Sequence, residues 1–340
     1  MKAVRIHEHG SINVLKWEEV PIPAVSKSQV LVEIKAAALN HLDIWVRKGI
    51  PGVPLPFILG SDGSGIVKEI GSDVSSVKVG DEILIQPLDY CENCRFCNMG
   101  KENYCESFGI LGENQNGTQC EFLVTDKRHI YPKPGHLSFE ESAGFALVAQ
   151  TAYAMLVKRA KVKKDETVFI WGASSGVGSM AIQIAKEKEC FVIAATSSNI
   201  KKKMAENLGA DEVINHTFEN IEEKVKKFTN GNGVDVVFEH VGGETWGTSL
   251  KILGKGGRLV TCGATTNPKV NIDLRHLFSK QQSVLGSTMG DVSAFNEVLQ
   301  LLNQQKIQPV VDTVFPMEKI QDAHGYLENG QQSGKVILVP

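Results

Sequence analysis

The chain has 340 residues, 42% of them apolar and 22% charged, and a formal net charge of −3. That length buries a sizeable core and suggests about two domains. The ordinary composition excludes collagen-like and wholly disordered chains, and a slightly acidic chain without a long Lys/Arg run has no electrostatic footprint for nucleic acid. Met1-Lys2-Ala3-Val4-Arg5-Ile6 alternates as a strand does and lacks the apolar core of a signal peptide, as expected of a cytoplasmic chain. Segments 30–35, 64–70 and 82–85 read as further strands, with turns at 71–73 and 79–81, so the first 125 residues predict a β-rich, barrel-like lobe. Two uncharged runs invite comparison with membrane spans. Segment 142–157 is short and broken by Gln150, and 167–185 is interrupted by small residues, so a buried helix and a strand–turn–helix unit are expected instead. From about Gln150, strands at 167–171, 191–196, 234–239 and 258–262 alternate with helix patterns at 177–188, 201–208, 219–228 and 244–253. That alternation predicts an α/β fold with a parallel sheet. Near Leu285 the pattern breaks; helices at 294–304 and 318–328 and a last strand at 335–339 follow.

Four cysteines share one short stretch, Cys91-x2-Cys94-x2-Cys97-x7-Cys105. So many thiolates on so little chain suit a tetrahedral zinc ion, and an all-cysteine site leaves no position for water or substrate. The site is therefore structural. Disulfides need an oxidising compartment, to which nothing here points. Cys120, Cys190 and Cys262 read as isolated reduced thiols.

Strand 167–171 runs into Gly172-Ala173-Ser174-Ser175-Gly176-Val177-Gly178 and then a helix pattern. Strand, small-residue turn and helix N-terminus form the geometry that binds a pyrophosphate: backbone N–H groups face the anion, and glycine permits close approach. Inside a βαβ unit this signal is strong. An NAD enzyme usually presents an acid to the ribose 2′-OH at the end of the next strand. Here that strand ends Ala194-Ala195-Thr196-Ser197-Ser198-Asn199, with Lys201, Lys202 and Lys203 beyond, which favours NADP(H) over NAD.

With these motifs the chain resembles the medium-chain dehydrogenase/reductase superfamily over essentially its full length. The carriers are Asn40-His41-Leu42-Asp43, Gly60-Ser61-Asp62-Gly63-Ser64-Gly65, the four-cysteine loop and the 172–178 turn. The resemblance implies an N-terminal chaperonin-10-like β-barrel domain (1–149), a Rossmann doubly wound domain (150–285) and a C-terminal segment returning to the first (286–340). It also implies a homodimer or homotetramer, paired near Leu285, acting on a small carbonyl or quinone substrate without a membrane or nucleic-acid partner.

Zinc alcohol dehydrogenases of the superfamily carry a second, catalytic zinc. At its three ligand positions this chain has Asn40, Ser61 (followed by Asp62) and the neighbourhood of Leu147; the proton-relay position holds Leu42. An amide, a hydroxyl and an alkyl group do not make a catalytic zinc site. The zinc-independent, quinone oxidoreductase-like branch has the motif Asn-x-x-Asp-x-x-x-Arg-x-Gly, which Asn40, Asp43, Arg47 and Gly49 reproduce. The expectation is thus one structural Zn2+ per chain and an NADP(H)-dependent reductase of quinones or α,β-unsaturated carbonyls. Asn40 is the candidate for orienting substrate or cofactor, beside Asp43. By resemblance His41 contacts the pyrophosphate, Thr151, Gly263, Ala264, Ser287 and Thr288 neighbour the nicotinamide, and Lys335 reaches a phosphate. Trp45 and Phe57 are candidates for an apolar pocket wall or for core. Two alternatives stay open: an alcohol dehydrogenase using atypical ligands among His41, Asp43 and Asp62, and an NADPH-binding sensor without turnover.

Overall fold

Alternation drives the first unit. In the strand Gln29–Ala38, Val30, Val32 and Ile34 are buried, while the residues between them are only partly covered. This strand pairs antiparallel with Asp62–Ile70, Phe122–Asp126 and Lys335–Val339, within a seven-stranded sheet. Val32, Ile34, Leu59, Ile85 and Leu338 form part of its core. The computed structural model describes residues 1–340 and separates into two compact units, Met1–Leu147 with Pro309–Pro340, and Val148–Gln308.

The second unit is the doubly wound sheet expected from the alternation. Its six strands are all parallel, in the order Glu212–Asn215, Phe191–Thr196, Thr167–Ile170, Val234–Glu239, Leu253–Thr261, Ser283–Gly286. Chain order reverses at Thr167–Ile170, so the connections leaving the two central strands run to opposite faces of the sheet, the arrangement that opens a crevice at the strand ends. Phe169, Ile193, Val237 and Leu259 are fully buried between sheet and helices.

The break near Leu285 falls on the sixth strand of this sheet. The sequence returns 286–340 to the first unit, but residues 286–308 stay with the second: Ser287 N–H donates to Thr261 O, and Gln150 Nε2 donates to Gly290 O and Asp291 O. The return begins at Pro309. The uncharged run 142–157 forms the helices Phe139–Ala143 and Ala146–Tyr153 followed by a wider turn, Ala154–Arg159. No helix is long and apolar enough to cross a membrane.

Candidate active site

The four cysteines meet as their spacing predicts. All four Sγ atoms lie within 4.8 Å of one another, with pairs at 3.6, 3.8 and 4.0 Å. Sulfurs tetrahedrally placed about 2.3 Å from one zinc lie about 3.8 Å apart; a disulfide needs about 2.05 Å. Cys94 N–H donates to Cys91 Sγ, and Cys91 N–H and Ser107 N–H donate to Cys105 Sγ, each at 3.3 Å. Such donors pull toward thiolates, against burial, which leaves the Cys105 thiol above its ordinary value and pushes Cys97 up to about 12. The Cys94 thiol is held down to about 6 by backbone donors, that at Cys97 foremost. The set fits a structural zinc and has no ligand position to spare for chemistry.

In the second unit the strand Thr167–Ile170 ends in a turn whose backbone must double back. Gly172 takes φ +52°, and a Cβ on Gly178 would lie 2.3 Å from Gly172 O. Ser175 caps the following helix, Gly176–Glu187, its Oγ accepting from Gly178 N–H at 3.0 Å. The cradle that side chains at 172 and 178 would fill, at a helix N-terminus, fits a pyrophosphate. Because the strands are parallel, the other residues assigned to the cofactor gather at the same carboxyl edge: Thr196 and Ser197, Gly263 and Ala264, Ser287 and Thr288. Thr151 lies in a helix of this unit, its Oγ1 3.9 Å from Met289 Sδ. Thr196 is 2% exposed and its hydroxyl has no partner. Ser198 caps the helix Asn199–Asn207 through Lys201 N–H.

Two residues at this edge escape the sequence reading. His240 Nε2 donates to Trp171 O at 2.9 Å, and its ring lies where a Cβ on Gly172 would sit, 2.8 Å from Cε1. Burial pushes its pKa below the ordinary value, so the ring is neutral. Glu239 is fully buried and accepts from Val241 N–H, Gly242 N–H, Thr245 Oγ1 and Trp246 Nε1, holding the next turn closed. The glycine pair after Glu239-His240 is the signal that marks this turn. Beside it a cavity of about 410 Å³ is lined by Trp171, Gly172, His216, Glu219, Val241 and Thr245, among others.

The first unit holds the remaining candidates. Asn40 begins the helix His41–Gly49, and Asp43 closes its first turn by accepting Asn40 N–H on Oδ2 at 2.7 Å. Gln119 Nε2 donates to Asp43 Oδ1 at 3.2 Å. Asn40 Nδ2 donates to Asp62 Oδ2 at 2.9 Å. Lys335, 4% exposed, donates to Leu39 O at 2.8 Å, Asn40 Oδ1 at 2.6 Å and Asp62 Oδ2 at 3.2 Å. The phosphate expected for Lys335 thus meets an ammonium whose three protons already have acceptors. Asp62 Oδ1 accepts Leu147 N–H at 2.8 Å. Arg47 turns away from this cluster; its Nη2 pairs with Glu328 at 2.8 Å and its Nη1 lies 3.3 Å from His324 Nδ1, so it ties the first helix to Ile320–Glu328. Phe57 belongs to the core, while His41 and Trp45 stand partly exposed with ring centroids 6.4 Å apart.

A second zinc does not fit these residues. Asn40 Oδ1 is bonded to an ammonium, both Asp62 oxygens accept N–H donors, and Ser61 Oγ is a lone buried hydroxyl without a partner. Three protein ligands are needed, and of these side chains only the Ser61 hydroxyl is without a bond.

Burial pushes the Asp43 carboxyl up to about 7, against the opposing pull of Asn40 N–H and the Lys335 charge; Asp62 adds to the rise. The folded chain therefore keeps a proton that the unfolded chain releases above 3.8, the ordinary value. Stability from this group is complete below that value and declines as pH rises through about 7. In Asp43→Asn the amide oxygen still accepts Asn40 N–H, and its NH2 finds an acceptor once the Gln119 amide, which now presents Nε2 to Asp43, turns over to present its unpartnered Oε1. The expected result is a variant that gains on wild type between pH 5 and pH 8 by an amount on the order of a few kcal/mol. Urea unfolding at both pH values measures it, and parallel pH dependences for the two proteins would remove the assignment.

The alcohol dehydrogenase GroES-like domain matches residues 26–135, and the zinc-binding dehydrogenase domain matches residues 176–304. An NAD-dependent alcohol dehydrogenase of Sulfolobus acidocaldarius is 35% identical over 99% of both chains. The chain belongs to the medium-chain dehydrogenase/reductase superfamily. Other members of this superfamily resemble it over a similar extent. A quinone oxidoreductase of Rattus norvegicus is 30% identical over 100% of this chain and 98% of its own. A crystal structure of an NAD-dependent alcohol dehydrogenase superposes with a TM-score of 0.97 at 39% identity, covering both chains completely. The GroES-like and Rossmann-like units are those of the superfamily, whose members are pyridine-nucleotide-dependent oxidoreductases.

Proposed function

We propose that this oxidoreductase transfers hydride from NADPH to quinones or α,β-unsaturated carbonyls without a catalytic metal. The observation that carries the proposal is the closed cluster of Asn40, Asp62 and Lys335, whose oxygens are bonded to N–H donors. When bound, the nicotinamide supplies the hydride. A saturated ketone needs strong charge stabilisation at its oxygen, the task of a Lewis acid. A conjugated acceptor spreads the incoming charge over an enolate or hydroquinone anion, so a hydrogen-bond donor suffices. Asn40 has two amide protons and gives one to Asp62, leaving one for an acceptor oxygen. Water then delivers the proton that completes the reduction.

NADP is supported by the strand end. No acid stands at 196–199 to repel a 2′-phosphate, the Thr196 hydroxyl lacks a partner, and Lys201 to Lys203 lie in the helix that follows. The cavity beside Trp171 has room for the adenine ring. A second reading, an NAD-dependent alcohol dehydrogenase, is favoured by the activities of two of the relatives above.

Titration with both dinucleotides, followed by a panel of quinones, enones and saturated ketones, tests the proposal. The expected result is tighter NADPH binding and turnover confined to conjugated acceptors. Ser197→Asp is expected to swing the preference toward NADH by at least about tenfold, about 1.4 kcal/mol. An unchanged preference removes the 2′-phosphate assignment, and chelator-sensitive oxidation of simple alcohols moves the conclusion to the second reading.

A further inference from the structure

Lys335 is a buried cation that no cofactor role explains. It is the first residue of the last strand, and that strand's antiparallel pairing with Gln29–Ala38 (Ile337 against Ala38) carries it to Asn40. Its ammonium donates to Asn40 Oδ1 and to Asp62 Oδ2, the side chains that stand at or beside the metal-ligand positions of zinc-dependent relatives. The Asn40 carboxamide is planar. With its oxygen on Lys335 and one N–H on Asp62, the plane is fixed and the direction of the second N–H with it. Asp62 is held in turn by Leu147 N–H. A free asparagine side chain rotates, and a donor that must be found by rotation stabilises a developing charge less than one already in place.

We infer that Lys335 is a positioning residue: its ammonium supplies the cation that organises this site, and it acts on the reaction by holding the Asn40 amide in one orientation. This rests on the proposed reduction of conjugated acceptors. The hydride goes to the acceptor carbon, the electron pair moves to its oxygen, Asn40 N–H stabilises that oxygen, and solvent returns the proton. Lys335 touches neither partner.

The test is a cycle of Lys335→Met, Asn40→Ala and the double variant in the full-length, zinc-loaded protein. Each single change is expected to lower kcat about tenfold to hundredfold. The double variant is expected to lose no more than Asn40→Ala alone, because both act through one amide. NADPH affinity, read by its fluorescence, stays within about threefold throughout, since the cofactor turn lies on other residues. Additive kcat losses would reduce Lys335 to a packing role, and a loss confined to NADPH affinity would make it a phosphate ligand; either overturns the inference. Lys335→Gln keeps a donor in the pocket without the charge and serves if the methionine variant does not fold. Crystal structures give a readout without turnover: the Asn40 amide is expected to turn in Lys335→Met, and an unchanged amide overturns the inference. If wild type consumes no NADPH with any acceptor while the amide turns, the proposed reaction fails and the positioning stands.

Discussion

Asp62→Ala is expected to destabilise the first unit by about 3–5 kcal/mol, the loss that follows when one partner of a buried ion pair is removed. Asp62 is fully buried and receives Leu147 N–H, Asn40 Nδ2–H and the Lys335 ammonium. Alanine leaves all three donors without it. Lys335 keeps Leu39 O and Asn40 Oδ1, but the carboxylate it pairs with is gone. Removing the ammonium too, as Asp62→Ala with Lys335→Met, is expected to recover a large part of the loss, because an apolar pair costs less to bury than a single charge. Urea unfolding of the single and double variants reads this directly. A single variant with the wild-type midpoint would mean that the cluster is wet and the charges screened, and the closed-site argument would go with it.

What could be read from sequence was what the chain holds together locally. The cysteines are legible because their whole ligand set lies within 15 residues, and the pyrophosphate turn because strand, turn and helix follow without interruption. Asp43 is legible from its motif, while the helix it opens, three residues from its N–H donor, is not. Lys335 is not. It lies 295 residues from Asn40, and only the pairing of the last strand with Gln29–Ala38 brings the two within 2.6 Å. No local pattern carries that information, so the sequence assigns Lys335 to a phosphate and leaves the Asn40 amide free. The domain boundary near 285 misplaces for a related reason. Ser283–Gly286 is a four-residue strand with largely exposed side chains, too short to show alternation, and its membership in the sheet comes from pairing with Leu253–Thr261. Glu212–Asn215 is equally short and equally missed. His240 reads as the end of a strand; its hydrogen bond to Trp171 O depends on two strands that are neighbours in space and 69 residues apart in sequence.

The second large effect is expected at Gly178, where Gly178→Val should weaken NADPH and NADH alike by at least about 100-fold, about 2.8 kcal/mol. A Cβ at this position would approach Gly172 O to 2.3 Å, Ala173 Cα to 2.9 Å and Gly172 C to 3.0 Å. All three are backbone atoms, so no side chain can rotate aside and the turn itself must open. Opening it moves the first N–H groups of the helix Gly176–Glu187 away from the anion they would hold, and breaks the bond from Gly178 N–H to Ser175 Oγ. Gly172→Ala meets a different neighbour. Its Cβ would lie 2.8 Å from His240 Cε1, a ring that can shift by giving up Trp171 O, although φ +52° also disfavours alanine. Its loss is expected to be smaller, and smaller again in a Gly172→Ala, His240→Ala double variant. Nicotinamide fluorescence titration measures each affinity, and the zinc content of the same samples reports whether the first unit is intact. Binding within tenfold of wild type by Gly178→Val would mean that the pyrophosphate lies elsewhere, and the cofactor assignments at Thr196, Ser197 and Gly263 would have no turn to refer to.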